Sequence, residues 1–143
     1  MNIVAGGSME TAKPAGLDEY IPTLTEDSLL LIARAFLQSP VAMAITGMLS
    51  GVYTEVNDAW NKSLGYSREE ILGKTVMELN LWQDFGERDI VVNHISRDGF
   101  VKNFVVTYRK KSGELCKYRY SASRTKSGNI DYLLSSIIEI TGQ

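Results

Sequence analysis

The sequence predicts an α+β fold in which an antiparallel sheet is covered by short helices on one face. Three observations predict it. The last third of the chain contains three runs of β-type residues that are joined by short turns with glycine. Two shorter β-type runs follow Pro40, and helix-capping residues lie between the two groups of strands. Helices on a single face of such a sheet leave room for a cavity between the layers.

Length and composition favour one globular domain. The 143 residues fit a single domain, and 15 basic against 17 acidic residues give a net charge of −2, so we expect no nucleic-acid partner. One cysteine and one histidine exclude an internal disulfide and a zinc cluster. The longest uncharged run, residues 35–54, is broken by Pro40 and glycines, so we expect no membrane insertion. We expect a cytoplasmic location, although a longer parent protein could be membrane-anchored.

The amino-terminal part is predicted to consist of a leader and a helix. Residues 1–24 are rich in Gly, Pro and Thr and are expected to be a flexible leader, which leaves 25–143 as the domain. Thr25 and the acids that follow predict a capping helix over 25–38. This helix is apolar almost all round, so it is either sandwiched within the domain or meets a second subunit. Leu30 and Phe36 are the residues through which we expect a homodimer.

The first two strands are predicted at residues 41–48 and 52–56. Asn57 or Asp58 then caps a short helix that ends at Gly65.

Further helix signals precede the last strands. A capping box at residues 67–70 opens a second short helix that ends at Gly73, and a third helix is predicted over 85–95. Three strands then follow, at 101–109, 115–124 and 130–140.

The alternation of these strands predicts a small aromatic pocket that faces the helices. Its expected ligand-binding residues are Trp60, Phe104, Tyr108, Tyr118, Tyr120, Leu133, Ser135 and Ile137. Buried phenol hydroxyls need partners, which either the protein and water or a ligand must supply. We expect a neutral or weakly polar ligand over a dicarboxylate, which would need cationic or helix-end partners. Arg88 could supply one such partner if it turns inward. A filled aromatic core without a ligand stays open as the alternative.

Four segments resemble the signature of the PAS domain family in order and spacing: residues 56–60, 64–74, 109–114 and 139–141. The resemblance implies a five-stranded sheet in the order 2-1-5-4-3 and a position upstream of an output domain in a bacterial-type signalling protein, such as a two-component system. It also assigns signal output to Glu139 and Thr141, with Glu139 replacing the usual aspartate.

The same resemblance implies that no cofactor is bound. Flavin is not expected, because the family's reactive cysteine falls on Val76 and its flavin-contacting amides fall on Tyr108, Tyr118 and Ile137. Haem is not expected either, because a ligating histidine would fall on Arg88 and not on His94. Cys116 lies on a predicted strand, where it reads as a small buried apolar residue and not as an attachment point for a chromophore.

Two classes of function remain. A sensory module would bind a small molecule, or rearrange as a dimer, and signal to an output domain in the same chain. A ligand-free dimerisation or protein-interaction module would use the first helix and the outer sheet face. We expect no enzyme, because no nucleophile, phosphate-binding loop or metal cluster can be assembled from the sequence.

Overall fold

The computed structural model describes Glu19 and residues 21–140. The chain divides into two units, residues 1–34 and 35–143, which are described separately. Helix α1, Glu26–Gln38, begins in the first unit after a 3-10 turn at Ile21–Thr23. Its first turn is capped by Thr25, whose Oγ1 accepts a hydrogen bond of 3.0 Å from the Ser28 N–H. Most of the predicted leader lies outside the described residues.

Five strands form one antiparallel sheet in the order β2-β1-β5-β4-β3, which confirms the predicted topology. Their bounds are Ala42–Gly47 (β1), Tyr53–Val56 (β2), Phe100–Arg109 (β3), Leu115–Ser127 (β4) and Ile130–Glu139 (β5). β5 lies at the centre, with Ala44 of β1 opposite Ser135 on one side and Tyr120 of β4 opposite Ile137 on the other. β2 and β3 are therefore the edges.

The edge strand β3 is bulged near its start. The pairing register with β4 shifts between Val101 and Phe104, and Asn103 within this interval has φ +56°. Asparagine is among the few residues that tolerate this left-handed conformation. The Asn103 N–H donates to Ser121 Oγ at 3.0 Å, so the backbone group freed by the bulge is satisfied by a side chain.

Three helices connect β2 to β3: α2 (Asp58–Leu64), α3 (Arg68–Ile71) and α4 (Phe85–Asp98). The capping box of Ser67 and Glu70 opens α3 as predicted. α4 runs three residues beyond its predicted end at Ile95. It stops only where Gly99, at φ +88°, adopts the left-handed conformation that closes a helix without strain. Polar residues after Ile95 had hidden this last turn from the apolar pattern.

Asn57 links three of these elements. The side chain is fully buried, and its Oδ1 accepts from the Met43 N–H at 2.9 Å and the Trp60 N–H at 3.0 Å. Its Nδ2 donates to the carbonyls of Phe36 at 3.0 Å and Val41 at 2.9 Å. The end of α1, the start of β1 and the start of α2 therefore meet at one amide.

The core lies between the helices and the inner face of the sheet. Helix α2 contributes Trp60 and Leu64 and α4 contributes Val91 and Ile95, all of them buried. Within the part of the chain that the structure covers, no helix has the length and apolar character that a bilayer span requires.

Candidate functional site

An aromatic cluster fills much of the space between the sheet and the helices. The ring centre of Trp82 lies 5.1 Å from that of Tyr108 and 5.5 Å from that of Tyr120, both in edge-on geometry. Tyr108 in turn lies 5.4 Å from Tyr118. These separations are those of favourable aromatic pairs, so the cluster is a packed unit.

A small cavity adjoins the cluster. Its free space for the centre of a water-sized sphere is about 10 Å³, which is about enough for one water molecule. We call its lining the aromatic chamber, which consists of Thr46, Tyr53, Val76, Trp82, Arg88, Tyr108, Tyr120, Leu133 and Ser135. A guest larger than water therefore requires side chains of the chamber to move.

The eight predicted pocket residues fall into three groups. Four of them line the chamber, namely Tyr108, Tyr120, Leu133 and Ser135. Trp60, Tyr118 and Ile137 are buried in the adjoining core. Phe104 is only half-buried and lines a surface groove between α4 and β3 instead. Phe104 therefore does not line the chamber, although it lies opposite Tyr120 in the pairing of β3 with β4. Its role in ligand binding stays a prediction.

Sequence reasoning missed two aromatic members of the chamber. Trp82 lies between α3 and α4 in a segment without helical or alternating periodicity, and it forms an isolated backbone bridge with Tyr108. Tyr53 lies on β2, where its ring is 5.2 Å from that of Trp60. The burial of β2 does not alternate, since Tyr53 and Val56 are buried and the two residues between them are not, so strand alternation gave no signal for Tyr53.

Burial controls the ionisation of the chamber tyrosines. Loss of solvent raises the pKa of Tyr120 to about 12, against a smaller lowering by the charge of Arg88. The pKa of Tyr108 and the pKa of Tyr53 are raised well above the ordinary value for the same reason. All three phenols are therefore neutral hydrogen-bond donors at physiological pH.

The sequence suggested that the chamber is lined by neutral groups, but the lining also contains one charged residue, Arg88. Arg88 of α4 is half-buried, and its Nη2 donates to the Met48 carbonyl at 3.1 Å. The guanidinium faces the same cavity as the phenols. Arg88 therefore turns inward, which is the condition under which it could supply a cationic partner to a ligand.

A path of contacts leads from the cluster to the end of β5. The Tyr118 hydroxyl is 2.9 Å from Ser63 Oγ, and Tyr118 lies opposite Glu139 in the pairing of β4 with β5. The carboxylate of Glu139 pairs with Lys110 Nζ at 3.3 Å. Thr141, the second residue predicted for signal output, lies outside the described residues.

Cys116 and His94 both lie away from the chamber. Cys116 was expected to be buried but is only half-buried, and it is the second residue of β4. Partial burial nevertheless raises the pKa of its thiol, which disfavours the reactive thiolate. His94 Nε2 is 3.2 Å from the Asp98 carboxylate, and the residue lines the surface groove between α4 and β3. Among the described residues, no group of three or more candidate ligands is placed to hold a metal ion.

Comparisons with known proteins agree with this architecture. A family model described as "PAS domain" matches residues 40–142. A PAS domain from a two-component sensor histidine kinase superposes with a TM-score of 0.71 at 20% identity, over 82% of this chain and 100% of that one. The PAS domain of an HTR-like protein from Haloarcula marismortui gives 0.67 at 21% identity, over 86% and 97%.

A third solved structure is the PAS domain of nitrogen regulation protein NR(II) from Vibrio parahaemolyticus. It gives a TM-score of 0.63 at 16% identity, over 77% of this chain and 98% of that one. A search of curated proteins returns no match. Because the family model spans well over half of the sequence, the chain belongs to the PAS domain family.

Proposed function

We propose that this PAS domain is the sensory module of a signalling protein, and that the packing of the aromatic chamber controls an output domain that follows residue 140. The sensor histidine kinase among the similar structures makes a two-component system a suitable setting. The proposed ligand is a small molecule other than flavin or haem. Val76 and Tyr108 occupy the positions where the family's flavin chemistry would need a cysteine and an amide.

One observation carries the proposal: a single strand reaches from the chamber to the carboxyl end. Leu133 and Ser135 of β5 line the chamber, and Glu139 ends the same strand with its ion pair to Lys110. Because β5 is hydrogen-bonded on both sides, a shift at Ser135 is not easily absorbed by its neighbours. Packed cores respond to small displacements by switching between discrete arrangements, which makes such a strand a suitable transmitter.

Native mass spectrometry and an absorbance spectrum of the freshly purified chain test whether a ligand is present. We expect a small mass that is released on denaturation, without a visible chromophore band. Amide NMR then tests transmission, since a molecule that shifts the Trp82 indole signal should also shift the amides of Glu139 and Ile140.

A matched pair of variants makes the transmission test specific. Lys110→Met removes the partner of Glu139 and should reduce the response at Ile140 while the Trp82 response persists. Lys111→Met removes a neighbouring lysine that pairs with Glu70 and should leave both responses unchanged. If chamber-binding molecules leave Glu139 and Ile140 unaffected in the unaltered chain, the sensory proposal is wrong.

A second candidate function, dimerisation without a ligand, is favoured by the apolar surface of α1. None of its residues is buried, and Leu29, Leu30, Leu31, Ile32 and Leu37 are all exposed. A second copy of the chain is the partner that we propose for this surface. A ligand-free dimer that responds to no small molecule would favour this function over sensing.

A further inference from the structure

Arg88 lies between two spaces. It lines the inner cavity, and it also lines a surface depression of about 290 Å³ together with Met48, Leu49, Asp89, Val92 and Asn93. It is the one residue that these two linings share. The side chain therefore separates the aromatic chamber from solvent on this side of the described domain.

The guanidinium of Arg88 forms no ion pair with a carboxylate of the described residues. Its single side-chain hydrogen bond within residues 21–140 goes to a neutral carbonyl, that of Met48. A guanidinium carries five N–H donors in a planar fork, so most of its hydrogen-bonding capacity is available to a guest.

The groups behind Arg88 suit the same kind of guest. The hydroxyls of Tyr53 and Tyr108 make no hydrogen bond to any residue in the described range, although both side chains line the cavity. Phenols and a guanidinium are all donors, whereas a carboxylate accepts up to about four hydrogen bonds. Val76 and Leu133 add apolar walls, which a short alkyl group would contact once side chains of the chamber have moved.

We propose that Arg88 binds a small carboxylate at the mouth of the aromatic chamber, exchanging its bond to the Met48 carbonyl for a two-point contact with the ligand. This inference rests on the proposed sensory function and names the ligand class for it. The planar fork of arginine matches a carboxylate in a way that a lysine ammonium does not. Because Arg88 is the residue that the two linings share, displacement of its guanidinium would join the cavity to the surface depression.

Titration with sodium propionate and with neutral propionamide tests this inference, with sodium chloride at equal ionic strength as the control. The readouts are the NMR signals of the Trp82 indole, the Leu49 amide and the Ile140 amide. We expect propionate to shift the first two saturably, and propionamide and chloride to leave them in place.

Variants assign the effect to Arg88. Arg88→Gln should weaken propionate binding by about tenfold or more, and Arg88→Lys should restore part of the loss. Arg109→Gln is the matched control, because Arg109 also donates to a carbonyl, that of Asn80 at 2.8 Å, but lies outside the chamber lining. Asp89→Asn removes from the depression a negative charge that repels the carboxylate, so it should strengthen propionate binding by a few fold.

The outcomes separate this inference from the proposal on which it rests. Equal binding of propionate by Arg88→Gln and the unaltered chain, or binding of propionamide in preference to propionate, overturns the carboxylate assignment and leaves the sensory proposal standing. Saturable propionate binding without a response at Ile140 supports the site and contradicts the proposed transmission. An unresponsive Trp82 with both compounds overturns the carboxylate site.

Discussion

The side chain of Asn57 makes four hydrogen bonds, all of them to the main chain. Asn57→Ala leaves two buried N–H groups and two carbonyls without these partners, so we expect a loss of about 3 kcal/mol in the free energy of unfolding. Chemical denaturation of the two proteins measures this difference in the free energy of unfolding. The matched control is Asn61→Ala, because the Asn61 Nδ2 is buried without a hydrogen-bond partner and its removal should cost less than about 1 kcal/mol. Equal losses for the two variants would contradict the linking role of Asn57.

The buried phenol of Tyr120 should make the free energy of unfolding fall as the pH becomes strongly alkaline. The folded-state pKa of about 12 lies above the ordinary value of 10.0, so the neutral phenol is favoured by folding. This contribution is complete below pH 10 and is lost as the pH rises from about 10 to about 12. Over that window, Tyr120→Phe should flatten the decline of the unfolding free energy by about 1.4 kcal/mol per pH unit. Denaturation curves at several pH values check this, and identical slopes would contradict it.

Residue-level prediction from the sequence succeeded where a local rule applied. The capping box at Ser67 and the inward positions of Tyr108 and Tyr120 followed from short-range chemistry and strand alternation. Trp82 could not be found in this way, because its position depends on an isolated bridge to Tyr108. The side-chain direction of Arg88 depends on the Met48 carbonyl, 40 residues away in the chain.

At the level of elements, α1 is distinguished by its exposed leucines. If α1 mediates a homodimer, Leu30→Glu should shift the sedimentation profile towards monomer, since a charge would be buried at the interface. Leu30 is 54% exposed, so the substitution should not disturb the fold. Phe36→Glu should also weaken a dimer, but it is a less specific test, because Phe36 is half-buried and its carbonyl accepts from Asn57.

The matched control for Leu30 is Leu49, which is 86% exposed in the turn between β1 and β2. Leu49→Glu adds the same charge outside α1 and should leave sedimentation unchanged. A dimer that survives Leu30→Glu would remove α1 from the interface.

Elements were predicted more completely than sites. Strand alternation and the helix stop at Gly65 are local features, and the family resemblance supplied the order of strands that pair across the sheet. The errors lie at the ends of elements, as with the last turn of α4, and at the β3 bulge, which was not predicted. A bulge depends on two strands together and so leaves no signal in one of them.

For the whole molecule, the central position of β5 predicts a gradient of stability across the sheet. Amides of β5 are enclosed by β1 and β4, whereas β2 and β3 each pair with one strand only and make a few backbone contacts to loop segments on their other side. Hydrogen exchange measured by NMR should therefore be slowest for β5, including Ser135 and Ile137, and faster in the edge strands. Exchange in β5 that is as fast as in β2 would contradict the idea of a rigid transmitting strand.

The bulge in β3 has a consequence for behaviour at high protein concentration. A free strand edge is a template on which a neighbouring molecule can add its own strand and begin an aggregate. The left-handed Asn103 interrupts the regular sequence of edge groups, and the exposed Lys102 beside it places a charge where an added strand would have to lie. We therefore expect β3, the longer of the two edge strands, to resist strand-by-strand aggregation.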